Sequence, residues 1–296
     1  MILFSGTSNK LLASRIAKDL RVSLGNVEIT RFIDNECRVY VKEAVSDKAV
    51  FVVQSLSQIA DQHLVELCLL GQALKNLKAK KVTAVIPWMG YSKQDKEFRK
   101  GEAVSAQLVA KFIEVAGFDA VLTMELHSEN LVPYFKIPIT ELTTHELLAQ
   151  KLKKHNKMAV VSPDRGGQSR SEHFAKKMSL PIVYLDKRRD LNTGKVKILS
   201  MSTTVKGFDV VIFDDIINTG ATAIKTSEFL KKQGARKIYF LATHAVLAGR
   251  ASLELASSPI DQVLVTDTIY IPRQKQFSKL KIISVSQLLA VAIKNN

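Results

Sequence analysis

The segment VVIFDDIINTGATA, residues 210–223, runs four apolar residues straight into two adjacent aspartates. An asparagine, a threonine, a glycine and a second threonine follow, and a helical pattern begins behind them. A strand over 208–215 and a helix over 220–233 place residues 216–222 at a helix N-terminus. Free backbone N–H groups and the positive end of the helix dipole favour an anion there. Gly220 lets the backbone approach closely, Ala221 opens the helix, and Thr219 and Thr222 add hydroxyls. Asp214 and Asp215 stand just before this cradle, where they can accept hydrogen bonds from hydroxyls of the phosphate-bearing molecule. Phosphate at one end and a vicinal diol at the other describe a ribose 5-phosphate. An isolated Asp-Asp pair would more simply cap the next helix. The apolar strand before it and N-x-G-x-T behind it, starting at Asn218, favour the phosphate cradle.

Working outward, short apolar runs alternate with helical patterns along almost the whole chain. MILFS (1–5), AVFVVQS (49–55), KVTAVIPW (81–88) and DAVLTMEL (119–126) read as strands, with helices at 61–77 and 105–117 between them. Ser8 is placed to cap a first helix whose apolar face is Leu11, Leu12, Ile16 and Leu20. A second series starts near 144, with strands MAVVSPD (158–164), PIVYLDK (181–187), FDVVIFDD (208–215), KIYFLATHA (237–245) and QVLVTDT (262–268). Helices at 144–154, 167–178, 220–233, 249–256 and 285–294 accompany them. This βαβ alternation predicts an α/β protein with parallel sheets and helices on both faces, in two similar doubly wound domains at 1–143 and 144–296. Ligand sites in such sheets lie at the carboxyl ends of the strands.

The chain has 296 residues, 46% of them hydrophobic, enough for two cores. Cys37 and Cys68 are too few for a disulfide framework and suggest a reducing interior. No basic segment precedes a long apolar run, and no uncharged run approaches the ~20 residues of a membrane span. The expectation is a soluble cytoplasmic protein with no membrane partner. Forty-three basic against 28 acidic residues leave a net charge of +15. The excess is spread over helix faces such as KNLKAKK (75–81) and lacks interleaved aromatics, so phosphorylated metabolites suit it better than nucleic acid. Walker A, G-x-G-x-x-G and C-x-x-C patterns do not occur.

The 210–223 pattern resembles the ribose-phosphate-binding loop of type I phosphoribosyltransferases, a clue to fold that leaves the reaction open. The other strand-end loops narrow it. RFIDNECRVYVKEAV (31–45), VIPWMGYSKQDKEFRKGEAVSAQLVAKFIEVAG (85–117), ELHSENLVPYFKIP (125–138), VVSPDRGGQSRS (160–171), LDKRR (185–189) and VTDTIYIP (265–272) are similar, in order and spacing, to those of ribose-phosphate pyrophosphokinases. That resemblance implies transfer of the β,γ-diphosphoryl group of ATP to the C1 hydroxyl of ribose 5-phosphate, releasing AMP. Such transfers rest on positioning, Mg²⁺ and cationic clamps.

The resemblance also assigns roles. Lys187 and Arg189 stabilise the transferring phosphates, Asp164, Gly166 and Gly167 belong to a diphosphate loop, and His127 and Asp164 serve Mg²⁺, the implied cofactor. Phe32, Asp34 and Glu36 meet the adenine or ribose of ATP, with Lys93, Gln94, Asp95, Lys96 and Arg99 in a loop that closes over it near His127. Asp214, Asp215 and Asn218–Thr222 hold ribose 5-phosphate. The first domain would carry the ATP hairpin and lid, the second the ribose 5-phosphate loop. The hairpin of such enzymes comes from a neighbouring subunit, which implies a homo-oligomer built from dimers, a hexamer being the usual size, with shared active sites.

Several positions depart from the family pattern. Glu125 stands for aspartate, Asn35 for glycine, Arg165 for a small residue, and Lys93 and Lys96 for arginines, whose bidentate fork lysine lacks. Ser46 and Gly101 replace basic residues near the nucleotide-inhibition site of regulated members, so weak allosteric inhibition by ADP is expected. Two alternatives share parts of the pattern. A phosphoribosyltransferase acting on a base shares the 210–223 loop but not the Phe32 hairpin or the lysine-rich loop. A catalytically silent regulatory homologue, binding nucleotide and an active synthase, is disfavoured by the full complement of Lys187, Arg189, His127, Asp164, Asp214 and Asp215.

Overall fold

Apolar strands without polar alternation must be covered on both faces, and the computed structural model shows two parallel sheets of this kind. It describes residues 1–163, 166–189 and 196–296, with the side chains of 187–189, 196 and 197 outside it. The chain folds as two units: Met1–Thr143 with Asp267–Tyr270 and Ser284–Asn296, and Thr144–Thr266 with Ile271–Ile283.

In the first unit the chain runs β1 (Ile2–Ser5), α1 (Lys10–Leu20), the antiparallel hairpin β2 (Val27–Arg31) and β3 (Cys37–Val41), then β4 (Ala49–Val53) and α2 (Ala60–Asn76). β5 (Lys81–Ile86), α3 (Ser105–Val115), β6 (Ala120–Met124) and β7 (Ile139–Leu142) follow. The five-stranded sheet has the order β1-β4-β5-β6-β7, every pair parallel. Val50 to Val53 of β4 are all buried, so neither face meets water. α1 buries Leu12, Ala13, Ile16, Ala17 and Leu20. Its cap is Asn9 and not Ser8: Asn9 Oδ1 accepts from Leu12 N at 3.2 Å. The Ser8 hydroxyl is already engaged, accepting from Ser55 N at 2.8 Å at the end of β4.

In the second unit come α4 (His145–Ala149), β8 (Met158–Ser162), α5 (Gln168–Met178), β9 (Ile182–Arg189) and β10 (Val196–Met201). β11 (Asp209–Ile217), α6 (Ala221–Lys232), β12 (Ile238–Ala245), α7 (Ala251–Ser257), β13 (Gln262–Thr266) and β14 (Leu280–Ile283) complete its seven-stranded sheet, ordered β10-β9-β8-β11-β12-β13-β14. Among the described residues only β10 pairs antiparallel in this sheet, with β9. Alternate residues of β11 enter different cores. Val210 and Ile212 pack with Ala242 and Val263, whereas Val211 and Phe213 pack with Phe174 and Leu264. From β8 the chain winds outward to β9, then returns to β11 on the other side. The winding reverses between β8 and β11, and a crevice opens at such a point beyond the strands' carboxyl ends.

The last helix, α8 (Ser286–Lys294), belongs to the first unit, where it packs on α1. A cut at 143/144 therefore leaves out a return of the chain. Its anchor is Asp267, whose carboxylate accepts from Arg15 Nη1 at 2.7 Å and Val285 N at 2.8 Å. Asn9 Nδ2 donates to the Asp267 carbonyl at 2.7 Å.

β11 begins at Asp209, a buried carboxylate that accepts from Arg236 Nε at 2.6 Å and lies 2.9 Å from His155 Nε2. Burial pushes this carboxyl up, but its bonds to Arg236 and His155 outweigh burial and hold it below the ordinary range. Because the folded value is depressed, the contribution to stability is present above the unfolded value of about pH 4 and is lost as pH falls through the folded one. Asp209→Asn is expected to cost about 2 kcal/mol at pH 7, read from the urea midpoint, and to flatten the acid limb of the stability profile.

Candidate active site

At the carboxyl end of β11 the chain turns into α6 around a cavity. Gly220 caps α6 at φ +78°, a left-handed conformation that side chains disfavour. A Cβ there would also lie 3.2 Å from Leu255 Cγ. The turn brings Asn218, Thr219, Gly220, Ala221 and Thr222 around a cavity of about 160 Å³ that Asp214 also lines. The first N–H groups of α6 open onto it without partners of their own helix. Thr219 Oγ1 lies 3.5 Å from Ala221 N, so the hydroxyl sits within the loop's own turn.

The two aspartates are not equivalent. Asp215 is 1% exposed, whereas Asp214 is half-buried and faces the cavity. Asp214 Oδ1 accepts from Asp215 N at 2.9 Å, folding that carboxylate back on the strand. Both carboxylates accept from Arg170 Nη1, at 3.2 Å for Asp214 and 2.9 Å for Asp215. Arg170 is not among the residues expected above. Its signal was present in SPDRGGQSRS: an arginine in a helix's first turn opposes the dipole and needs an acidic partner.

Gly167 caps α5 at φ −91°, and Gly166 is exposed in the turn before it. Asp164 and Arg165 lie outside the described residues. Lys187 and Arg189 are on β9, opposite Ile198 and Val196 of β10, and their side chains also lie outside the described set. Beside this strand a second cavity of about 280 Å³ is lined by Ser162, Gln168, Tyr184, Asp186, Ser200 and Ser202, among others. Its hydroxyls and amide are phosphate donors in kind.

The first unit carries the residues expected at ATP. The hairpin tip is a tight turn: Asn35 N donates to the Phe32 carbonyl at 3.0 Å, and Arg31 Nη1 to the Asn35 carbonyl at 2.8 Å. Asn35 has φ +70°, as its tolerance of the left-handed region permits. Phe32 is 52% exposed and so is no core aromatic; Arg38 stands 5.9 Å from its ring centre. Asp34 Oδ1 accepts from Glu36 N at 3.2 Å, and both side chains are exposed.

The segment 91–100 divides into buried or bonded residues and exposed ones. Asp95 is 7% exposed, and its carboxylate accepts from Asn130 Nδ2 at 2.9 Å. Tyr134 donates to the Asp95 carbonyl at 2.7 Å. Burial pushes the Asp95 carboxyl up, yet bonds from Ser128 and Asn130 hold it below the ordinary value. Gln94 Oε1 accepts from Ser105 Oγ at 2.6 Å, at the start of α3. Lys93, Lys96 and Arg99 remain exposed, with Lys96 Nζ 5.3 Å from the Phe98 ring centre. Asp95 thus ties the lid's base to the segment just after His127, itself half-buried. Glu125 is 7% exposed and left-handed at φ +37°, a backbone setting in which few side chains are stable. Among the described residues no helix is long and apolar enough to cross a membrane.

Comparison with known proteins places these loops in one family. Residues 1–117 match the N-terminal domain of ribose phosphate pyrophosphokinase, and residues 188–296 match the phosphoribosyl synthetase-associated domain. A ribose-phosphate pyrophosphokinase of Caldanaerobacter subterraneus is 38% identical over 98% of this chain and 93% of its own. One from Campylobacter jejuni is 37% identical over 99% of this chain and 94% of its own. The crystal structure of a phosphoribosylpyrophosphate synthetase from Mycobacterium smegmatis superposes with a TM-score of 0.92 at 32% identity, covering 99% of this chain and 97% of that one. Sequence, strand-end loops and backbone agree, and the chain belongs to the ribose-phosphate pyrophosphokinase family of enzymes.

Proposed function

We infer that the chain transfers the β,γ-diphosphoryl group of ATP to the C1 hydroxyl of ribose 5-phosphate, giving 5-phosphoribosyl 1-diphosphate and AMP. The cavity at the α6 N-terminus carries this reading. Its N–H groups suit the 5-phosphate, and Asp214, set at its wall, suits the sugar hydroxyls. Asn218, Thr219, Ala221 and Thr222 line the phosphate end, and Asp215 backs Asp214. Gly166, Gly167 and Asp164 would receive the diphosphate. Lys187 and Arg189 supply a mobile ammonium and a forked guanidinium to the charge that develops on the transferring group. Exposed Phe32 offers an adenine platform, with Asp34 and Glu36 beside it. Lys93, Lys96 and Arg99 give the lid its phosphate contacts, while Gln94 and Asp95 hold its base. The exposed aromatic hairpin tip is compatible with a site completed by a neighbouring subunit, and we propose a homo-oligomer with shared sites.

Mg²⁺ fits the donor set. No three acidic, histidine or cysteine side chains gather into a cage among the described residues. An ion held mainly by nucleotide oxygens and water needs only one or two protein donors; half-buried His127 is the described candidate, and Asp164 lies outside the described residues. When bound, Mg²⁺ offsets triphosphate charge and polarises the transferred group. The chain's own residues bind, orient and exclude water around the reacting oxygen.

Purified protein mixed with Mg²⁺, ATP and ribose 5-phosphate is expected to release AMP only when the sugar phosphate is present. Lys187→Ala is expected to lower kcat by about 10² or more, as loss of a transition-state clamp does. Tight ATP binding without AMP would instead favour the silent regulatory homologue. Gly220→Ala is expected to raise the KM for ribose 5-phosphate by about five- to thirty-fold, the equivalent of ~1–2 kcal/mol of left-handed strain. An unchanged KM would show that the phosphate binds elsewhere.

A further inference from the structure

Building on the ribose 5-phosphate site above, we propose that Arg170 is a positioning residue for the sugar: it holds the Asp214 and Asp215 carboxylates as one hydroxyl-accepting unit. Neighbouring side chains on a strand point to opposite faces. Yet both carboxylates meet the same guanidinium nitrogen, at 3.2 and 2.9 Å. Two carboxylates drawn this close repel, and a cation set between them offsets that repulsion. Arg170 supplies that cation from a side chain only 19% exposed, and the Asp215 side chain beside it is 2% exposed.

The location of Arg170 makes the pairing specific. It lies in the first turn of α5, where a cation opposes the helix dipole, so the placement is stabilised by the aspartates and not by the helix. α5 emerges from the loop after β8, and β11 leads into the turn at 218–220 that opens α6. These two strands are hydrogen-bonded neighbours, in register from Met158 opposite Asp209 to Val161 opposite Ile212. Arg170 therefore joins the two loops across the point where the winding of the sheet reverses. Asp214 lines the phosphate cavity, so whatever sets its carboxylate plane sets where sugar hydroxyls are accepted. The planar guanidinium can span two acceptors in fixed directions; a lysine ammonium preserves charge but not that geometry. Arg170 also reduces the charge of the aspartate pair by one, which eases approach of a doubly charged sugar phosphate.

The test measures ribose 5-phosphate binding to the full chain by calorimetry without nucleotide, together with steady-state AMP release. Arg170→Gln is expected to weaken binding and raise the KM for ribose 5-phosphate by about tenfold or more, with the KM for ATP changed less than about threefold. Arg170→Lys, which keeps the charge and bulk, is expected to recover part of the loss. If Arg170 acts through Asp215, the double variant Arg170→Gln/Asp215→Asn will bind within about twofold of Asp215→Asn alone. Wild-type affinity in Arg170→Gln would overturn the proposal. So would independent losses that multiply in the double variant, or equal losses for both substrates that follow the unfolding midpoint. A wild-type chain that binds ribose 5-phosphate but releases no AMP would remove the transfer reading and leave the role of Arg170 decided by calorimetry. A chain that binds no ribose 5-phosphate would overturn both.

Discussion

A strand buried on both faces can carry charge only at its ends, and β11 is organised by that constraint. Val210, Val211, Ile212 and Phe213 fill two cores on opposite sides of the sheet. The charged residues of the strand are Asp209 at its start and Asp214 and Asp215 toward its end. A buried carboxylate needs a cation or several donors. Arg236 meets Asp209, and Arg170 meets the other two. The first pair secures the sheet. The second stands beside a loop whose N–H groups face a cavity, so the same physical demand there yields a site.

The two units treat their strand-end loops differently. In the first unit the loop after β1 is filled by the protein's own carboxylate. Glu66, 1% exposed, accepts from Thr7 N at 2.6 Å, Thr7 Oγ1 at 2.7 Å and Gln54 Nε2 at 2.7 Å. Gly6 is required there because a Cβ would stand 2.3 Å from Gln54 Oε1. An internal anion occupies the donors that a bound one would need. In the second unit the α6 N-terminus has no such carboxylate folded onto its N–H groups among the described residues, and a cavity of about 160 Å³ remains. The same kind of strand-end loop is thus filled by a side chain in one unit and opens onto a cavity in the other.

The hairpin and the 91–100 loop of the first unit combine bonded bases with exposed tips. Asp95 is buried and bonded to the segment 128–134, while Lys93, Lys96 and Arg99 project from the same loop. The Phe32 turn is closed by backbone bonds and by Arg31, but its ring is half-exposed. Such an arrangement fixes the base of the loop and leaves its charged side chains exposed. Asn35 fits the turn for the reason glycine would, because it tolerates φ of +70°.

Much of the molecule was legible from local pattern. Runs such as AVFVV and DVVIF had to be buried strands, because they offer no polar face. N-x-G-x-T after such a strand had to be a turn into a helix, because Gly220 alone accepts its left-handed angle without strain. Local chemistry pointed to the turn at 218–222 and the aspartate pair before it, and the family resemblance pointed to the hairpin tip and the 91–100 loop. What they could not reach were partnerships between residues distant in sequence. Ser8 looked like the cap of the first helix, but Ser55 claims its hydroxyl and Asn9 takes the role. Asn130 and Tyr134, the partners of Asp95, lie 35 and 39 residues away and were not legible in the loop itself. The return of α8 to the first unit depends on Arg15 finding Asp267, 252 residues away. Arg170 gained its meaning only when the pairing of β8 with β11 brought α5 beside Asp214 and Asp215. Periodicity and turn chemistry act over a few residues and are written in the chain. Which charge neutralises which is decided by strand order, and that exists only once the sheet has formed.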